Sequence, residues 1–510
     1  MIVTRQFSPQ QRMLAPAFVG VAVAVVLTIA VFPPSRAFIL LVAAACAIVV
    51  LAEPKLAYVL LPISVPWGSV FTINVGSIAV TPSDVTVGAL LAASCVRAVG
   101  RRELTPARNR WVVALVLLIL AMAISTWDAT SLTASAKELV KWIEVLVAVA
   151  LAPTYLKSTR DVWAVVLATI FAASAEAALG LIQVALHSGP RSFATRGNLL
   201  RAFGTFGQPN PMAGYLNMIL PIAIAFAWVR RSAPLALLSI LIALGSVLTL
   251  SRSGWAAGLL AVVVVGAFYS SRLRSLIPIG VALGLIAVLL AALTIIPIGP
   301  FFRIASSFGL TQVNFSHYTH ANFSEIERAA HWVAGLRMFA AHPFTGVGIG
   351  NYAVVYPSYH VGSFVNALGH AHNYFINIAA EAGILGLFAY TFFIVAALSY
   401  TTATALRFNE KGITRNDPGA ERSRAVGQRS AWRRSKPAKL PLLYPLPARL
   451  LAGTLAVGVT GLWVSSTFHN LFDVLYVHEM PLLIGVLMGA LIAADGMTTM
   501  VDRSDSSVEA

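Results

Sequence analysis

The sequence predicts an all-α integral membrane protein built as a helical bundle. Its 510 residues are 58% hydrophobic and 11% charged, and the mean hydropathy is +0.79, far more apolar than a soluble domain. The apolar runs are mostly about 16 to 25 residues long, the length at which a helix crosses a hydrocarbon core of roughly 30 Å. Short polar turns separate the runs. We therefore expect about 12 to 14 transmembrane helices, with a large outer-face loop that carries amphipathic helices.

The first apolar run, at residues 14–32, is interpreted as a retained membrane anchor. It lacks a convincing small-residue cleavage site, and another span follows it at once. The run at 56–70 is the weakest candidate, because Pro62 and Pro66 interrupt it. In chain order, the candidate spans lie near 14–32, 37–52, 56–70, 82–97, 111–126, 138–155, 161–186, 211–229, 235–250, 254–270, 276–298, 373–400, 450–470 and 480–495.

The spans and the loops between them divide the chain into five expected parts. In the large outer loop, Trp332, Leu336 and Phe339 recur at helical spacing, which indicates an amphipathic helix on or under the outer membrane surface. The five parts are an N-terminal transmembrane bundle at 1–298, the large loop at 299–372, a transmembrane helix at 373–400 that opens with a His-Asn pair, a basic cytoplasmic loop at 401–449, and a C-terminal transmembrane pair with a cytoplasmic tail at 450–510.

The distribution of positive charge sets the predicted orientation. Threaded from a cytoplasmic N-terminus, the spans place the C-terminus and most of the 36 lysines and arginines on the cytoplasmic side, as the positive-inside rule requires. All 10 histidines then fall on the outer face. The net charge of +16 is therefore mainly a topology signal. The basic cluster at 422–439 matches no nucleic-acid-binding module, so contact with anionic lipids is favoured over contact with nucleic acid.

The outer face also retains several arginines, on the side that the positive-inside rule disfavours. Arg201, Arg252 and Arg328 are candidates for holding an anionic ligand there, since a planar guanidinium binds phosphate or carboxylate through two parallel hydrogen bonds. Arg252 lies in a minimal hairpin, Ser251 to Gly254, between two apolar runs. On position alone, extension of its side chain into the headgroup layer explains Arg252 equally well.

Two outer segments are rich in glycine, proline and amide side chains. They are 201–211, which includes Gln208 and Asn210, and 343–351. Such segments hold unusual backbone angles and present N–H and amide groups that suit sugars or phosphates. The alternative is that glycine and proline shape tight turns, and it holds for most individual residues there. Neither segment is a nucleotide-binding fingerprint, because no β-strand precedes the glycines and no Walker lysine follows.

His372 is the candidate catalytic residue. Asn373 follows it, and on a 3.6-residue period Gly383 and Gly386 continue the same face of the predicted helix. A stripe of small residues lets a neighbouring helix approach closely in lipid, so we expect His372 to face protein and the two glycines to serve helix packing.

Four carboxylates are candidates for roles beside His372 or within the spans. Asp473 is the better partner for His372, because Glu381 falls roughly on the opposite face of the predicted helix. Glu144 and Glu176 lie in or near apolar spans, where ionisable groups are costly and often functional. Each belongs either to a proton relay or to a local pair with a lysine or with polar backbone.

No metal site is expected. The pair His370 and His372, even with the earlier pair His317 and His320, forms no closed set of ligands.

Taken together, these motifs resemble one known family. His372-Asn373, nine intervening residues and then Gly383 to Gly386 is similar to the signature of the O-antigen ligase and polymerase superfamily of bacterial envelope glycosyltransferases. The 201–210 loop, the hairpin at Arg252, Arg328 with Trp332, and the 343–351 segment follow in a similar order. The resemblance covers roughly 201–386. Outside that region, the hydropathy pattern and the large outer loop match.

The resemblance implies a metal-independent glycan transferase without a cofactor, in the bacterial inner membrane, with its active site on the periplasmic face. The donor is a glycan on undecaprenyl diphosphate, and the acceptor is a hydroxyl of a glycan or glycolipid such as lipopolysaccharide. His372 activates the acceptor, since an imidazole can take a proton at neutral pH. Arg252 and Arg328 bind the diphosphate, and Arg201 assists.

The resemblance also implies a set of supporting residues, namely Asn373, Gln208, Asn210, Trp332 and Asp473. The implied binding partners are the glycan donor, the acceptor and membrane lipids, and nucleic acid is not among them.

Two alternatives remain open at this stage. A polymerase of O-antigen or exopolysaccharide in the same superfamily uses the same chemistry with a different acceptor. A transporter or flippase of lipid-linked anionic sugars belongs to another class, and it would require charged residues along a transmembrane path and internal repeats. Glu144 and Glu176 are the candidates for such a path, and we find no clear inverted repeat, so catalysis is favoured.

Overall fold

The structure, a computed structural model, is dominated by α-helices. It describes residues 28, 33–68, 70–75, 78–100, 104–195, 198–280, 315, 323–412 and 441–508. The α-helices and strands are α1 Pro34–Ala52, α2 Ala57–Ser64, β1 Ile73–Val75, β2 Ile78–Val80, α3 Pro82–Val99, α4 Arg110–Ser125, α5 Leu132–Tyr155, α6 Thr159–Ala185, α7 Pro209–Arg230, α8 Ala233–Leu248, α9 Arg252–Tyr269, α10 Phe323–Ala341, α11 Tyr352–Val355, α12 Tyr374–Gly412, α13 Ala448–His469 and α14 Met480–Val508. Short 3-10 turns lie at Pro54–Leu56, Val65–Trp67, Thr126–Asp128, Arg191–Phe193 and Tyr356–Ser358.

The predicted class, an all-α polytopic membrane protein, is confirmed. Among the described residues, eight helices are long and apolar enough to cross a membrane by length and composition, namely α3, α4, α6, α7, α9, α12, α13 and α14. Two shorter apolar helices, Arg36–Ala52 and Ala233–Leu248, accompany them.

Several predicted spans differ from the structure or lie beyond its described part. The weak candidate at 56–70 is the short helix α2 followed by a 3-10 turn, as its prolines suggested. An antiparallel hairpin of β1 and β2 follows, which hydropathy had not indicated. The candidate spans at 14–32 and 276–298 lie largely outside the described residues, as does the basic cluster at 422–439.

Helix α13 lies at the centre of the bundle and packs against α7, α9, α12 and α14. Glycines bring α13 and α7 together. A Cβ on Gly458 would lie 2.7 Å from the Ile222 Cα, and one on Gly461 would lie 2.5 Å from the Pro221 Cβ. In lipid, close backbone approach through small residues is a main source of helix association. The same helix ends at His469, directly before the loop that carries Asp473.

Aromatic side chains lock the loop after α13 against the start of α12. The Tyr374 and Tyr476 rings lie 4.4 Å apart edge to face, and the hydroxyls of Tyr390 and Tyr476 are 3.0 Å apart. The Tyr374 backbone N–H also donates to the Asn470 carbonyl at 2.8 Å. Edge-to-face aromatic pairs add stabilisation beyond their buried area. The residues around positions 372 and 473 are thereby held side by side.

Helix α12 breaks at Gly383, which has φ +63° and ψ −159°. The segment at 343–347 fills this break. The Val347 N–H donates to the Ala380 carbonyl at 2.9 Å, and the Ile384 N–H donates to the Pro343 carbonyl at 2.8 Å. The prediction of one continuous small-residue stripe from His372 is wrong. His372 precedes the helix, and Gly383 interrupts it where a loop, not a neighbouring helix, makes the close approach.

The segment at 343–351 uses its polar groups internally. Asn351 accepts from the Ser131 N–H at 2.7 Å and donates to the Ser135 hydroxyl at 2.9 Å, while the Ile349 N–H donates to the Ser125 hydroxyl at 3.0 Å. These bonds dock the segment on the end of α4 and the start of α5. The segment therefore uses its polar groups to hold the fold together, as the turn-forming alternative predicted.

Replacing Gly383 by alanine should destabilise the protein more than replacing Gly207. Both glycines have positive φ, so each alanine carries a backbone cost of about 1 to 3 kcal/mol. A Cβ on Gly383 would in addition lie 2.2 Å from the Phe344 carbonyl oxygen, whereas a Cβ on Gly207 meets nothing within 4 Å. Thermal unfolding in detergent measures the difference. Equal unfolding temperatures for Gly383→Ala and Gly207→Ala would contradict the described break.

Candidate active site

His372 lies just before α12 with φ +52°. Its neighbours hold it there. The Trp332 indole N–H donates to the His372 carbonyl at 3.3 Å. Asn373 donates from its amide to the Leu471 carbonyl at 3.0 Å and accepts from the Ile376 N–H at 3.1 Å. Trp332 and Asn373, both predicted as supporting residues, thus hold the backbone on each side of the histidine.

The His372 imidazole meets Asp473, which lies between α13 and α14. The His372 Nδ1 and Asp473 Oδ1 atoms are 3.2 Å apart. Asp473 is buried, at 6% exposure, and its Oδ1 also accepts from the Val474 N–H at 2.9 Å. The other ring nitrogen, His372 Nε2, is buried without a hydrogen-bond partner among the described residues. A carboxylate on one nitrogen orients the ring and leaves the second nitrogen for chemistry.

The environment of Asp473 favours its charged form. Burial alone would raise its pKa, but the hydrogen bond with His372 and the charges of nearby histidines and of Arg328 outweigh burial and hold the pKa well below its usual range. Asp473 is therefore a carboxylate at neutral pH.

A line of hydrogen bonds leads from this carboxylate to an arginine. Asp473 Oδ2 accepts from the Asn210 amide at 3.0 Å, and the Asn210 oxygen accepts from the Arg201 guanidinium at 3.1 Å. The Arg201 Nε donates in turn to the Thr249 carbonyl at 2.8 Å. The predicted residues His372, Asp473, Asn210 and Arg201, from three distant parts of the chain, therefore form one connected network.

The arginines line a pocket beside this network. Its cavity volume is about 120 Å³, and it is partly open to solvent. The lining residues are Arg201, Asn210, Leu250, Ser251, Arg252, Ser253, Ser324, Arg328 and Phe472. The structure thus brings together all three arginines predicted from the sequence.

The pocket concentrates positive charge. Burial, and then the like charges of Arg328 and Arg252, lower the pKa of Arg201 from its ordinary value. Guanidinium groups nevertheless stay protonated at neutral pH. An anion bound among these arginines would offset their mutual repulsion, so the pocket suits a phosphate or diphosphate group.

Two carboxylates near the pocket were not predicted as site residues. Glu325, on the first turn of α10, forms an ion pair with Arg252. On the same helix, burial raises the pKa of Glu327, while the charges of His372 and Arg328 oppose that rise. Glu325 lies 73 residues from Arg252 in the chain, so the sequence carried no local signal for this pair.

Helix α6 positions the loop that carries Arg201. Glu176 accepts from the Thr205 N–H at 2.6 Å and from the Thr205 hydroxyl at 3.1 Å. Gln183 accepts from the Gly204 N–H at 2.8 Å and donates to the Gly204 carbonyl at 3.0 Å. Of the two roles considered for Glu176, the structure shows the local pairing with polar groups.

The other predicted residues lie apart from the pocket. Gln208 is exposed at the N-cap of α7 and caps no backbone group with its side chain. A Cβ on Gly386 would meet Ala382 of its own helix rather than a neighbouring one. Glu381 is buried and accepts from the Tyr352 N–H and the Asn377 amide. His317 and His320 lie outside the described residues.

Two further histidines stand beside His372. The ring centroid of His370 lies 4.5 Å from that of His372, and the centroid of His331 lies 5.4 Å from it. Burial, with the neighbouring histidine charges, lowers the pKa of His331 to about 3. Burial likewise lowers the pKa of His370 to about 4. Both are neutral at pH 7.

A family model described as O-antigen ligase matches residues 237–391. The matched region is less than a third of the chain and includes Arg252, Arg328 and His372. It confirms the resemblance drawn from the sequence motifs. No curated protein matches the chain in sequence.

Asp473→Asn should destabilise the protein in a pH-dependent way. The pKa of Asp473 is lower in the folded protein than the value of about 3.9 expected when unfolded, so its contribution is fully present above about pH 4. That contribution is lost as the pH falls through the folded-state pKa. The gap in unfolding temperature between wild type and Asp473→Asn should therefore narrow below about pH 4. A gap that stays constant in thermal unfolding down to about pH 3 would contradict the assigned pairing.

Proposed function

We propose that this protein, which carries an O-antigen ligase superfamily domain, transfers a glycan from undecaprenyl diphosphate to a hydroxyl acceptor at the outer leaflet of the bacterial inner membrane. The observation that carries the proposal is the hydrogen-bonded line from His372 through Asp473 and Asn210 to Arg201, at the edge of an arginine-lined pocket. A proton acceptor and an anion site are thereby held in a fixed relation.

His372 acts as the base. Asp473 accepts from Nδ1–H and so leaves the lone pair on Nε2. As the acceptor hydroxyl attacks the anomeric carbon of the donor sugar, its proton passes to Nε2. The resulting imidazolium faces the Asp473 carboxylate, which stabilises the positive charge.

The arginines act on the leaving group. The bond between the anomeric carbon and the diphosphate oxygen breaks, and undecaprenyl diphosphate departs with the electron pair. Arg252 and Arg328 bind the diphosphate and stabilise the negative charge that grows on it, and Arg201, which also lines the pocket, assists. Because these fixed cations supply the charge stabilisation, the proposed transfer requires no metal ion.

The same arrangement serves a ligase and a polymerase, since the two differ in the acceptor that meets Nε2. A transporter is the less favoured alternative. Glu176, one of its two candidate path residues, pairs with Thr205 in the loop that holds Arg201. The other, Glu144, lies in a carboxylate cluster with Asp84 and Glu479, apart from the pocket.

His372→Ala should strongly lower the rate of transfer while donor binding is retained. Loss of a general base lowers turnover by about 10²- to 10⁴-fold. The measurement is conversion of a glycan on undecaprenyl diphosphate by the purified protein with candidate acceptors, beside donor binding to the same sample. Undiminished turnover in His372→Ala would overturn the assignment, and transport of the donor without product would favour the transporter.

Arg328→Ala should raise the KM for the donor by about 10- to 100-fold, since a hydrogen bond to a charged group is worth about 1.5 to 3 kcal/mol. Arg337→Ala is the matched control. It removes the same charge from the same helix, but the Arg337 guanidinium is exposed and donates to the His360 carbonyl. Equal KM values in the two variants would show that charge on α10, rather than the pocket, governs donor binding.

A further inference from the structure

We propose that His370, His372 and Asp473 form a binding site for a divalent transition metal ion of the zinc type, and that the bound ion inhibits the protein. The inhibitory consequence rests on the proposed function of His372, whereas the binding itself does not. Such a site goes beyond the transfer reaction, which employs no metal.

The three side chains already converge. Each offers one ligand atom, and these atoms lie within 4.8 Å of one another. A tetrahedral zinc ion with bonds of about 2.1 Å separates its ligand atoms by about 3.4 Å, so a small inward rotation of the side chains completes the set. The rings of His370 and His372 are nearly perpendicular, at 79°, and their centroids are 4.5 Å apart.

The His372 nitrogen that faces the carboxylate is Nδ1, which lies 3.2 Å from the Asp473 Oδ1 atom. Asp473 is buried, at 6% exposure, so an ion held between this carboxylate and the two imidazoles would be shielded from bulk solvent. The site therefore combines a fixed negative charge with two neighbouring imidazoles.

The donor set selects the kind of ion. Two imidazole nitrogens with one carboxylate oxygen suit zinc, cobalt and nickel, whereas magnesium and calcium prefer oxygen ligands. A second group of possible ligands, Asp84, Glu144 and Glu479, consists of carboxylates alone. That group differs in chemistry and serves as an internal comparison.

Occupancy of this site would remove the base. An ion bound by His372 Nδ1 and Asp473 replaces the Nδ1–H that the carboxylate accepts, so the neutral ring carries its proton on Nε2 and cannot accept the acceptor's proton there. Arg328 lies close enough to Asp473 to act on its charge, so the ion enters a site that already holds a cation. We therefore expect binding that is reversible and removed by a chelator.

The test uses full-length protein purified in detergent without a polyhistidine tag. Cobalt(II) is the probe, because its visible absorption reports coordination by nitrogen and oxygen whether or not transfer occurs. We expect one cobalt ion per chain, displaced by zinc(II). His370→Ala should weaken binding at least tenfold. His187→Ala, at an exposed histidine outside the cluster, and Glu479→Gln, in the all-carboxylate group, should leave it unchanged.

A second arm measures transfer with zinc(II) and with chelator, expressed as a ratio so that any change in basal rate cancels. In the wild type, the rate with zinc(II) should be at most about one tenth of the rate with chelator. In His370→Ala, the two rates should be nearly equal. Cobalt absorption that is absent, or that is unchanged in His370→Ala, overturns the site. Cobalt binding with undiminished transfer overturns the inhibition. Cobalt binding by a protein that shows no transfer even with chelator would leave the site standing and count against the proposed function.

Discussion

The site depends on one buried carboxylate. Asp473 is almost fully removed from solvent, and a buried charge is tolerated when partners compensate it. Its two oxygens face His372, the Val474 N–H and the Asn210 amide. Because His372 precedes α12 and Asn210 lies in α7, the need to satisfy this single charge draws the starts of these two helices to the loop after α13. The orientation of the imidazole follows from that requirement.

The bundle meets this requirement through packing. Close approach of α13 and α7 at Gly458 fixes the distance between the elements that carry Asp473 and Asn210. The Tyr374 and Tyr476 rings fix the other side of the site. Rigid helices in lipid thus hold the ends of the hydrogen-bonded line, and Glu176 and Gln183 hold the loop between them. The positions of His372, Asp473 and Asn210 are thus set by residues outside the hydrogen-bonded line.

Composition and periodicity were sufficient for the class of fold, since long apolar runs admit few structures other than spanning helices. Charge bias placed His372, Arg201, Arg252 and Arg328 on one face, which is why their proximity could be anticipated. The break at Gly383 could not, because it depends on the hydrogen bonds of Ile384 with Pro343 and of Val347 with Ala380, which join segments distant in the chain. The ion pair of Arg252 with Glu325 could likewise not be predicted from the sequence. Such long-range contacts leave no periodic trace in the sequence.

The order of the network along the chain has a consequence for biosynthesis. Arg201 and Asn210 are made first, His372 follows, and Asp473 comes between the last two helices, α13 and α14. During membrane insertion, His372 therefore has no hydrogen bond with Asp473 until α13 and the loop after it have been inserted. A chain that ends before Asp473 holds the cations and the histidine without the carboxylate that links them. Assembly of the hydrogen-bonded network is thus coupled to completion of the bundle.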